Sequence, residues 1–219
     1  MPRIKAILFD FGDVLTDHGV TRDLLRAYDR QLGWPEGTLH DRLYRSPWWE
    51  QVSLGQISET AYFYGAVGDV VPLLPQALEV LRYGCFALEP LRPEMVDLVQ
   101  ALARRYRLGL VSNASPSLRQ QLIRWPHLLN LFEAVVISAE VGLRKPDPRI
   151  YRLALRRLYL APEEALFVDD KARNVEGALA LGMEGIVFTS PAQLRADLER
   201  VMNFPGVAGL WRAAGRQRR

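Results

Sequence analysis

Five short apolar runs are the feature that most restricts what this chain can fold into. Each is too short for a domain-spanning helix, and most are rich in β-branched or aromatic residues, as buried strands are. The runs are Ile4–Asp10, Leu108–Ser112, Ala134–Ser138, Ala165–Asp169 and Gly185–Phe188. Stretches with helical spacing accompany the later runs, at Arg92–Tyr106, Pro148–Leu158 and Asn174–Leu181, the last followed by Gly182 as a C-cap. This alternation predicts an α/β fold with a parallel sheet and helices on both faces.

The stretch after the first run breaks this alternation. It holds helical patterns but no strand pattern, at Arg22–Leu32, Gly37–Tyr44, Ser58–Val67 and Leu74–Leu81, punctuated by Pro47, Gly55, Pro72 and Pro75. We predict a small helical cap over residues 16–88, inserted into a core made of residues 1–15 and 89–219, with linkers near 15–20 and 86–92. The aromatic residues of the cap, Trp48-Trp49 and Tyr62-Phe63-Tyr64, form either its core or a substrate pocket.

Composition excludes several classes of function. The net charge is +3, and the arginines gathered at the end (Arg212, Arg216, Arg218, Arg219) are expected to be a solvated terminus, not a nucleic-acid site. Cys85, in an expected small turn, is the only cysteine, so no intrachain disulfide can form, which fits a reducing compartment. No run approaches the ~18 apolar residues of a membrane span. We therefore predict a cytoplasmic protein with no membrane or nucleic-acid partner.

Polar side chains stand where the predicted strands end. Asp10 ends the first strand, Ser112 and Asn113 the second, and Asp169-Asp170 the fourth, while Lys145 follows the third through a short loop. In an open parallel sheet, ligands bind at the carboxyl ends of the strands, near the point where the strand order switches. The sequence thus predicts that these separate segments meet at one site.

The chemistry of this set is coherent. Carboxylates crowd together only when a cation offsets their repulsion, and ligands that are all oxygen suit Mg²⁺. Lys145 adds a positive charge, the Ser112 hydroxyl is a donor, and the backbone N–H groups of Asn113 and Ala114 are candidate further donors. Such a set stabilises a transferring phosphoryl group, and a carboxylate can attack phosphorus to form an aspartyl-phosphate.

Four segments resemble the motifs of the haloacid-dehalogenase-like hydrolases. They read FDFGDVLTD (Phe9–Asp17), LVSN (Leu110–Asn113), GLRKPDPRIY (Gly142–Tyr151) and FVDDKARNVEGA (Phe167–Ala178), in the order that the family has. The resemblance covers the whole chain, and the helical insertion sits where the family places its C1-type cap. It implies a Rossmann-like core.

The resemblance also implies roles for individual residues. Asp10 matches the nucleophile, Ser112 the hydroxyl that holds the phosphoryl group, and Lys145 the stabilising lysine. The magnesium ligands implied are Asp10, Asp170 and the Gly12 carbonyl, with Asp169 bound directly or in the outer sphere. Ser112, Asn113 and Asn174 are candidate substrate contacts, and Asn174, one helical turn beyond Asp170, faces either the site or the cap.

One position departs from the family pattern. Phosphatases of the family usually read Asp-x-Asp in the first motif, and the second Asp is the general acid/base, but here that position is Gly12. General acid–base help is typically worth 10²–10⁴-fold in rate, so we expect slower turnover or a shift of the proton transfers to water, substrate or Asp13. Asp13 itself is expected to be an outward-facing turn residue and His18 a solvated loop histidine.

These observations favour a magnesium-dependent phosphatase for a small phosphorylated metabolite, such as a sugar phosphate, acting as a monomer or homodimer. A 2-haloacid dehalogenase also lacks the second Asp, but it needs no metal and typically has Ser-Ser-Asn where this chain has Val168-Asp169-Asp170. A catalytically weak protein that binds a phosphorylated ligand is the third alternative. A phosphonatase would need a cap lysine, which residues 16–88 lack, and a mutase would need the acid/base that Gly12 removes.

Overall fold

The computed structural model describes residues 4–69 and 89–202, and elements are numbered within these ranges. The strands are β1 Ala6–Phe9, β2 Arg107–Ser112, β3 Ala134–Ile137, β4 Ala165–Asp169 and β5 Glu184–Val187. The helices are α1 Gly19–Gln31, α2 Thr38–Tyr44, α3 Pro47–Ser53, α4 Glu59–Val67, α5 Pro93–Leu102, α6 Ser117–Ile123, α7 Pro126–Leu129, α8 Ser138–Val141, α9 Pro148–Arg157, α10 Ala172–Leu179 and α11 Pro191–Val201. The helix expected at Leu74–Leu81, the turn at Cys85 and the arginine-rich end lie outside the described residues.

The strands form one parallel sheet in the order β3-β2-β1-β4-β5. The chain runs outward from β1 through β2 to β3 and then returns to the other side of β1 for β4 and β5. The strand order therefore switches between β1 and β4, where Phe9 pairs with Val168. This confirms the predicted α/β class and places the ends of β1 and β4 side by side at the edge where ligands bind in such sheets.

Apolar side chains cover both faces of the sheet. On one face, Leu98 of α5 and Leu198 of α11 belong to the buried cluster that includes Phe9. On the other face, Ile150 of α9 and Ala178 of α10 belong to a second cluster. The strands are consequently buried on both sides, which explains why they appear in the sequence as nearly continuous apolar runs.

Helices α1–α4 pack around an apolar cluster of their own, which includes Leu25, Leu43 and Tyr62. The chain enters and leaves them side by side, since Thr16 and Leu91 form an antiparallel bridge and the Asp17 N–H donates to the Pro90 carbonyl (2.9 Å). These helices fall within the segment predicted as the cap, and we refer to α1–α4 as the cap helices.

The structure corrects one feature of the predicted cap. Pro47 does not break the chain between helices but begins α3, where proline is tolerated because the first helical N–H has no partner within the helix. The Ser46 hydroxyl caps this helix by accepting from the Trp49 N–H (3.3 Å). The sequence pattern missed α3 because the helix is only two turns long.

Candidate active site

Acidic residues from β1 and β4 converge at the carboxyl edge of the sheet. Asp10 directly follows β1, where its N–H donates to the Val168 carbonyl (2.9 Å), and Asp169 ends β4 with Asp170 after it. One carboxylate oxygen from each of the three aspartates lies within 4.8 Å of the others. Asp10 and Asp169 are buried and Asp170 is half-buried. The structure therefore brings together the acidic residues that the sequence analysis predicted to meet.

Lys145 balances part of this charge from the loop after α8. Its side chain is fully buried, and Nζ lies 2.9 Å from Asp10 Oδ1 and 2.7 Å from Asp169 Oδ2. Nζ also donates to the Val111 carbonyl (2.7 Å). Burial opposes the charged form, but the two carboxylates outweigh it and raise the pKa of Lys145, which keeps the ammonium group charged.

The site still has more negative than positive charge. Burial raises the pKa of Asp10, against the pull of Lys145, and the charge of Asp169 raises it further. Burial also raises the pKa of Asp170 to about 6, with the charges of Asp10 and Asp169 adding to the shift against the opposing effect of Lys171. Asp170 Oδ1 is buried with no hydrogen-bond partner among the described residues. An unpartnered buried carboxylate oxygen beside a second carboxylate fits a hard divalent cation such as Mg²⁺.

Asp169 differs from Asp170 in that its oxygens are already engaged. Oδ2 receives Lys145, Oδ1 accepts from the Lys171 N–H (2.8 Å), and the Asn174 amide donates to both (2.9 and 3.0 Å). The Asp169 carboxylate thus holds Lys145 in place. This favours an outer-sphere position of Asp169 relative to Mg²⁺ over direct binding. Asn174 is buried and directs its amide N–H at Asp169, and its backbone carbonyl accepts from the Tyr151 hydroxyl (2.7 Å).

The end of β2 supplies the neutral polar groups. Ser112 is buried and lines the cavity described below. Asn113 binds the loop that carries Lys145, because its Oδ1 accepts from the Lys145 N–H (2.8 Å) and its Nδ2 donates to the Lys145 carbonyl (2.9 Å). The Ala114 N–H, expected as a phosphoryl donor, instead donates to the Ser138 hydroxyl (3.0 Å). This donor is therefore already engaged within the chain.

The first motif has a different environment from the one expected. Asp13 is half-buried and forms two hydrogen bonds with the Arg22 guanidinium (2.9 and 3.0 Å), so it is not an outward-facing turn residue. Burial acts to raise the pKa of Asp13, but Arg22 and His18 outweigh it and lower that pKa. A side-chain carbon added at Gly12 would lie 3.0 Å from His18 Cε1 and 3.2 Å from His18 Nε2. The imidazole therefore occupies the space into which the usual second aspartate would project.

His18 is held there by acidic residues and is not a solvated loop histidine. Its Nε2 lies 2.8 Å from Oε2 of the buried Glu89, and its Nδ1 lies 3.5 Å from Asp13 Oδ2. Burial alone would lower the pKa of His18, but Glu89 and Asp13 outweigh it and raise that pKa. No sequence pattern indicated this pairing, because Glu89 lies outside the four motifs and far from His18 along the chain.

A cavity of about 1290 Å³ lies at this edge of the sheet, bounded by core loops and the cap helices. Tyr44 and Trp49 line it from the cap. Tyr62 and Phe63 are instead buried inside the cap's own apolar cluster. Of the aromatic residues named from the sequence, Tyr62 and Phe63 thus form cap core, Trp49 lines the cavity, and Trp48 and Tyr64 are exposed. Tyr44 was missed because its neighbours form no aromatic pair.

Residues 4–182 match the sequence model of a protein family, the haloacid dehalogenase-like hydrolases. The chain therefore belongs to this family of hydrolases. In the part of the chain that the structure describes, no helix combines the length and the apolar character needed to cross a bilayer.

Several curated relatives are phosphatases. Glyceraldehyde 3-phosphate phosphatase of Methanothermobacter thermautotrophicus is 35% identical over 216 residues, which are 85% of this chain and 86% of that protein. D-ribitol-5-phosphate phosphatase of Bacteroides thetaiotaomicron is 26% identical over 213 residues, 91% of this chain and 99% of that protein. Other relatives are much longer, and the chain spans 19% of mouse acyl-CoA dehydrogenase family member 10, at 29% identity over 212 residues.

Solved structures share the fold. A HAD family enzyme from Bacteroides thetaiotaomicron, in complex with magnesium and inorganic phosphate, has a TM-score of 0.67 at 19% identity and covers 85% of this chain and 94% of that one. L-2-haloacid dehalogenase from Xanthobacter autotrophicus, with chloropropionic acid covalently bound, has a TM-score of 0.62 at 20% identity and covers 94% of this chain and 86% of that one. At these identities the likeness concerns the fold alone.

Proposed function

We propose that this chain is a magnesium-dependent phosphatase that hydrolyses a small phosphorylated metabolite through an aspartyl-phosphate on Asp10. The observation that carries the proposal is the meeting of Asp10 and Asp170 beside the buried ammonium group of Lys145. The names of the relatives support a small phosphorylated polyol or aldehyde as the class of substrate.

Asp10 is held as a nucleophile needs to be. Its Oδ1 accepts from the Phe11 N–H (2.7 Å) and pairs with Lys145, which fixes the plane of the carboxyl group before substrate arrives. In the first step a carboxylate oxygen of Asp10 attacks phosphorus, the bond to the ester oxygen breaks, and the leaving alkoxide takes a proton from a water molecule. In the second step a water molecule attacks phosphorus and gives a proton to solvent, the bond between phosphorus and Asp10 breaks, and phosphate leaves with the carboxylate restored.

The remaining groups bind and orient. Asp10, Asp170 and the Gly12 carbonyl would hold Mg²⁺, which when bound offsets negative charge on the phosphoryl oxygens. Lys145 adds its positive charge beside the nucleophile, and Ser112 offers a hydroxyl to a phosphoryl oxygen. In this mechanism Asn113 positions Lys145, and Asn174 positions Asp169.

The test is an assay of phosphate release from p-nitrophenyl phosphate and a panel of sugar phosphates, with Mg²⁺ or with EDTA. We expect turnover with Mg²⁺ only, and its loss in Asp10→Asn. Asp147→Asn is the matched control, since Asp147 lines the same cavity but pairs with Arg149 at the rim. Acid quenching during turnover should yield an Asp10 peptide that carries a phosphoryl group, detected by mass spectrometry.

Two outcomes would contradict the proposal. Chloride release from 2-chloropropionate in EDTA, without phosphate release, would identify a dehalogenase. Binding of phosphate esters without turnover of any of them would identify a catalytically inactive binding protein.

A further inference from the structure

Most charged residues around the cavity have an ionic partner. Asp13 pairs with Arg22, Asp10 with Lys145, and Asp147 with Arg149. Three cations that line the cavity are exceptions, Arg144, Lys171 and Arg173, since none of them has a carboxylate of the described residues within salt-bridge distance. We call these three residues the basic triplet.

The basic triplet flanks the proposed phosphoryl site from two segments of the chain, the loop before α9 and the start of α10. Arg144 directly precedes Lys145, Lys171 directly follows Asp170, and Arg173 lies in the first turn of α10. Lys171 is close enough to Asp10 and Asp170 to lower the pKa of each. The triplet therefore extends the positive charge of the site from the place of the phosphoryl group outward into the cavity.

Arg144 is the most informative member. It is half-buried, and its Nε is buried with no hydrogen-bond partner among the described residues. Burial lowers the pKa of Arg144, and Arg173 lowers it further against an opposing effect of Glu50 on α3. Glu50 attracts Arg144 from a distance without forming a salt bridge, so the buried Nε keeps a free donor, and two guanidinium groups that line one cavity could both bind an anion there.

We propose that the basic triplet binds a second anionic group of the substrate, a carboxylate or a further phosphate, a few bonds from the ester that is hydrolysed. This inference rests on the proposed phosphatase function, and it departs from the polyol and aldehyde phosphates of the relatives' names by requiring a second negative charge on the substrate. Arg144 and Arg173 bind the second anion, and Lys171 lies between the two anionic groups of the substrate.

The experiment compares three substrates that differ only at the far end. Glycerol 3-phosphate carries a hydroxyl group there, 3-phosphoglycerate a carboxylate, and glycerol 1,3-bisphosphate a second phosphate. Because hydrogen bonds to charged groups are the strong ones, kcat/KM for at least one anionic substrate should exceed that for glycerol 3-phosphate by roughly tenfold or more. The arm that is preferred identifies the second group as carboxylate or phosphate.

Substitutions in the basic triplet test whether these residues cause the preference for anionic substrates. In Arg144→Gln and Arg173→Gln, the ratio of kcat/KM between the preferred anionic substrate and glycerol 3-phosphate should fall toward one, mainly through KM. Arg149→Gln is the matched control, because Arg149 lines the same cavity but is already paired with Asp147, and it should leave the ratio as in the wild type. Equal kcat/KM for the three substrates, or a preference that survives in the Arg144→Gln/Arg173→Gln double variant, would overturn the inference.

Calorimetric binding separates this inference from the proposed function. If no substrate is turned over, the phosphatase proposal fails. Tighter binding of the anionic compounds, weakened in the double variant, would then still support the triplet as an anion site. Equal binding of the three compounds, or binding of none, would overturn it.

Discussion

Gly12 departs from the family pattern, and a neighbouring side chain fills the space that the usual aspartate would take. The His18 ring occupies the space beside it and is held by Glu89 at 2.8 Å. A change at position 12 therefore cannot be considered separately from His18. The effect of even one methyl group depends on whether the ring can move.

We predict that Gly12→Ala destabilises the protein by about 1 kcal/mol, because the new carbon presses on the His18 ring at 3.0 Å. In a His18→Ala background the same change should be neutral or stabilising by roughly 0.4–1 kcal/mol, since alanine reduces the entropy of the unfolded chain. Urea unfolding of the four proteins of this cycle gives the coupling energy. Additive effects would mean that His18 does not restrict position 12.

Asp170 allows a prediction about pH. Its pKa in the folded protein is about 6, above the ordinary value of 3.8, so the ionised group opposes folding and its penalty appears as the pH rises from about 4 to about 6. Asp170→Asn should thus stabilise the metal-free protein at pH 7.5 by on the order of 1–2 kcal/mol, a range reduced for solvent screening of this half-exposed group. The gain should shrink as the pH is lowered toward 4.

Stabilisation by Mg²⁺ should require Asp170, although the metal-free protein is more stable without its charge. A cation that binds the folded protein raises its stability by mass action, so Mg²⁺ should raise the Tm of the wild type at pH 7.5 and of Asp170→Asn far less. Asp147→Asn, which removes a carboxylate that is already paired, should respond to Mg²⁺ as the wild type does. An equal Mg²⁺ effect in all three proteins would place the ion elsewhere.

At the scale of elements, the site depends on how two loops are tied together. Lys145 reaches the aspartates from the loop between α8 and α9, and Asn113 at the end of β2 binds both backbone groups of that lysine. The lysine is thus positioned by a neighbouring strand as well as by its own loop.

Asn113→Ala should destabilise the protein by roughly 1–3 kcal/mol, because two backbone groups lose their partners. It should also lower kcat by about tenfold or more through misplacement of Lys145. Asn130→Ala, at an exposed position after α7, is the control and should change neither quantity. Chemical denaturation and phosphatase kinetics check both parts, and unchanged kcat in Asn113→Ala would remove its positioning role.

At the scale of the whole molecule, the cap helices rest on the core through close contacts. Glu59 of α4 accepts from the N–H of Ser117 in α6 (3.0 Å). Gly55, between α3 and α4, has a φ of +70° and lies so close to Ala139 that an added side-chain carbon would be 2.2 Å from the Ala139 carbonyl oxygen. Only glycine fits this approach of cap and core backbones.

We therefore expect Gly55→Ala to push the cap away from the core, raising KM for phosphate esters and lowering the Tm. Gly33→Ala separates the two causes, since Gly33 has nearly the same φ of +69° but nothing within 4 Å of the added carbon. Gly33→Ala should show only the backbone cost of about 1–2 kcal/mol, with KM unchanged. Equal effects of both substitutions on KM would argue against cap contact as the cause.

The sequence by itself determined the fold class and the approximate membership of the site. Buried parallel strands must be apolar on both faces, so β1–β5 stood out as runs, and the residues that follow such strands must meet at one edge. Strand ends differed by one or two residues in both directions. The predicted run begins before β1 at Ile4, whereas β2 and β5 begin at the charged residues Arg107 and Glu184, which an apolar pattern leaves out.

Only the tertiary structure decided which groups are engaged and which are free. The pairing of His18 with Glu89, the hold of Asn113 on Lys145 and the unpartnered Nε of Arg144 each join residues whose spacing along the chain carries no signal. Periodicity reports which face of an element is buried. The partner of a polar atom is decided by distances of a few ångströms between elements, and these exist only once the elements have packed.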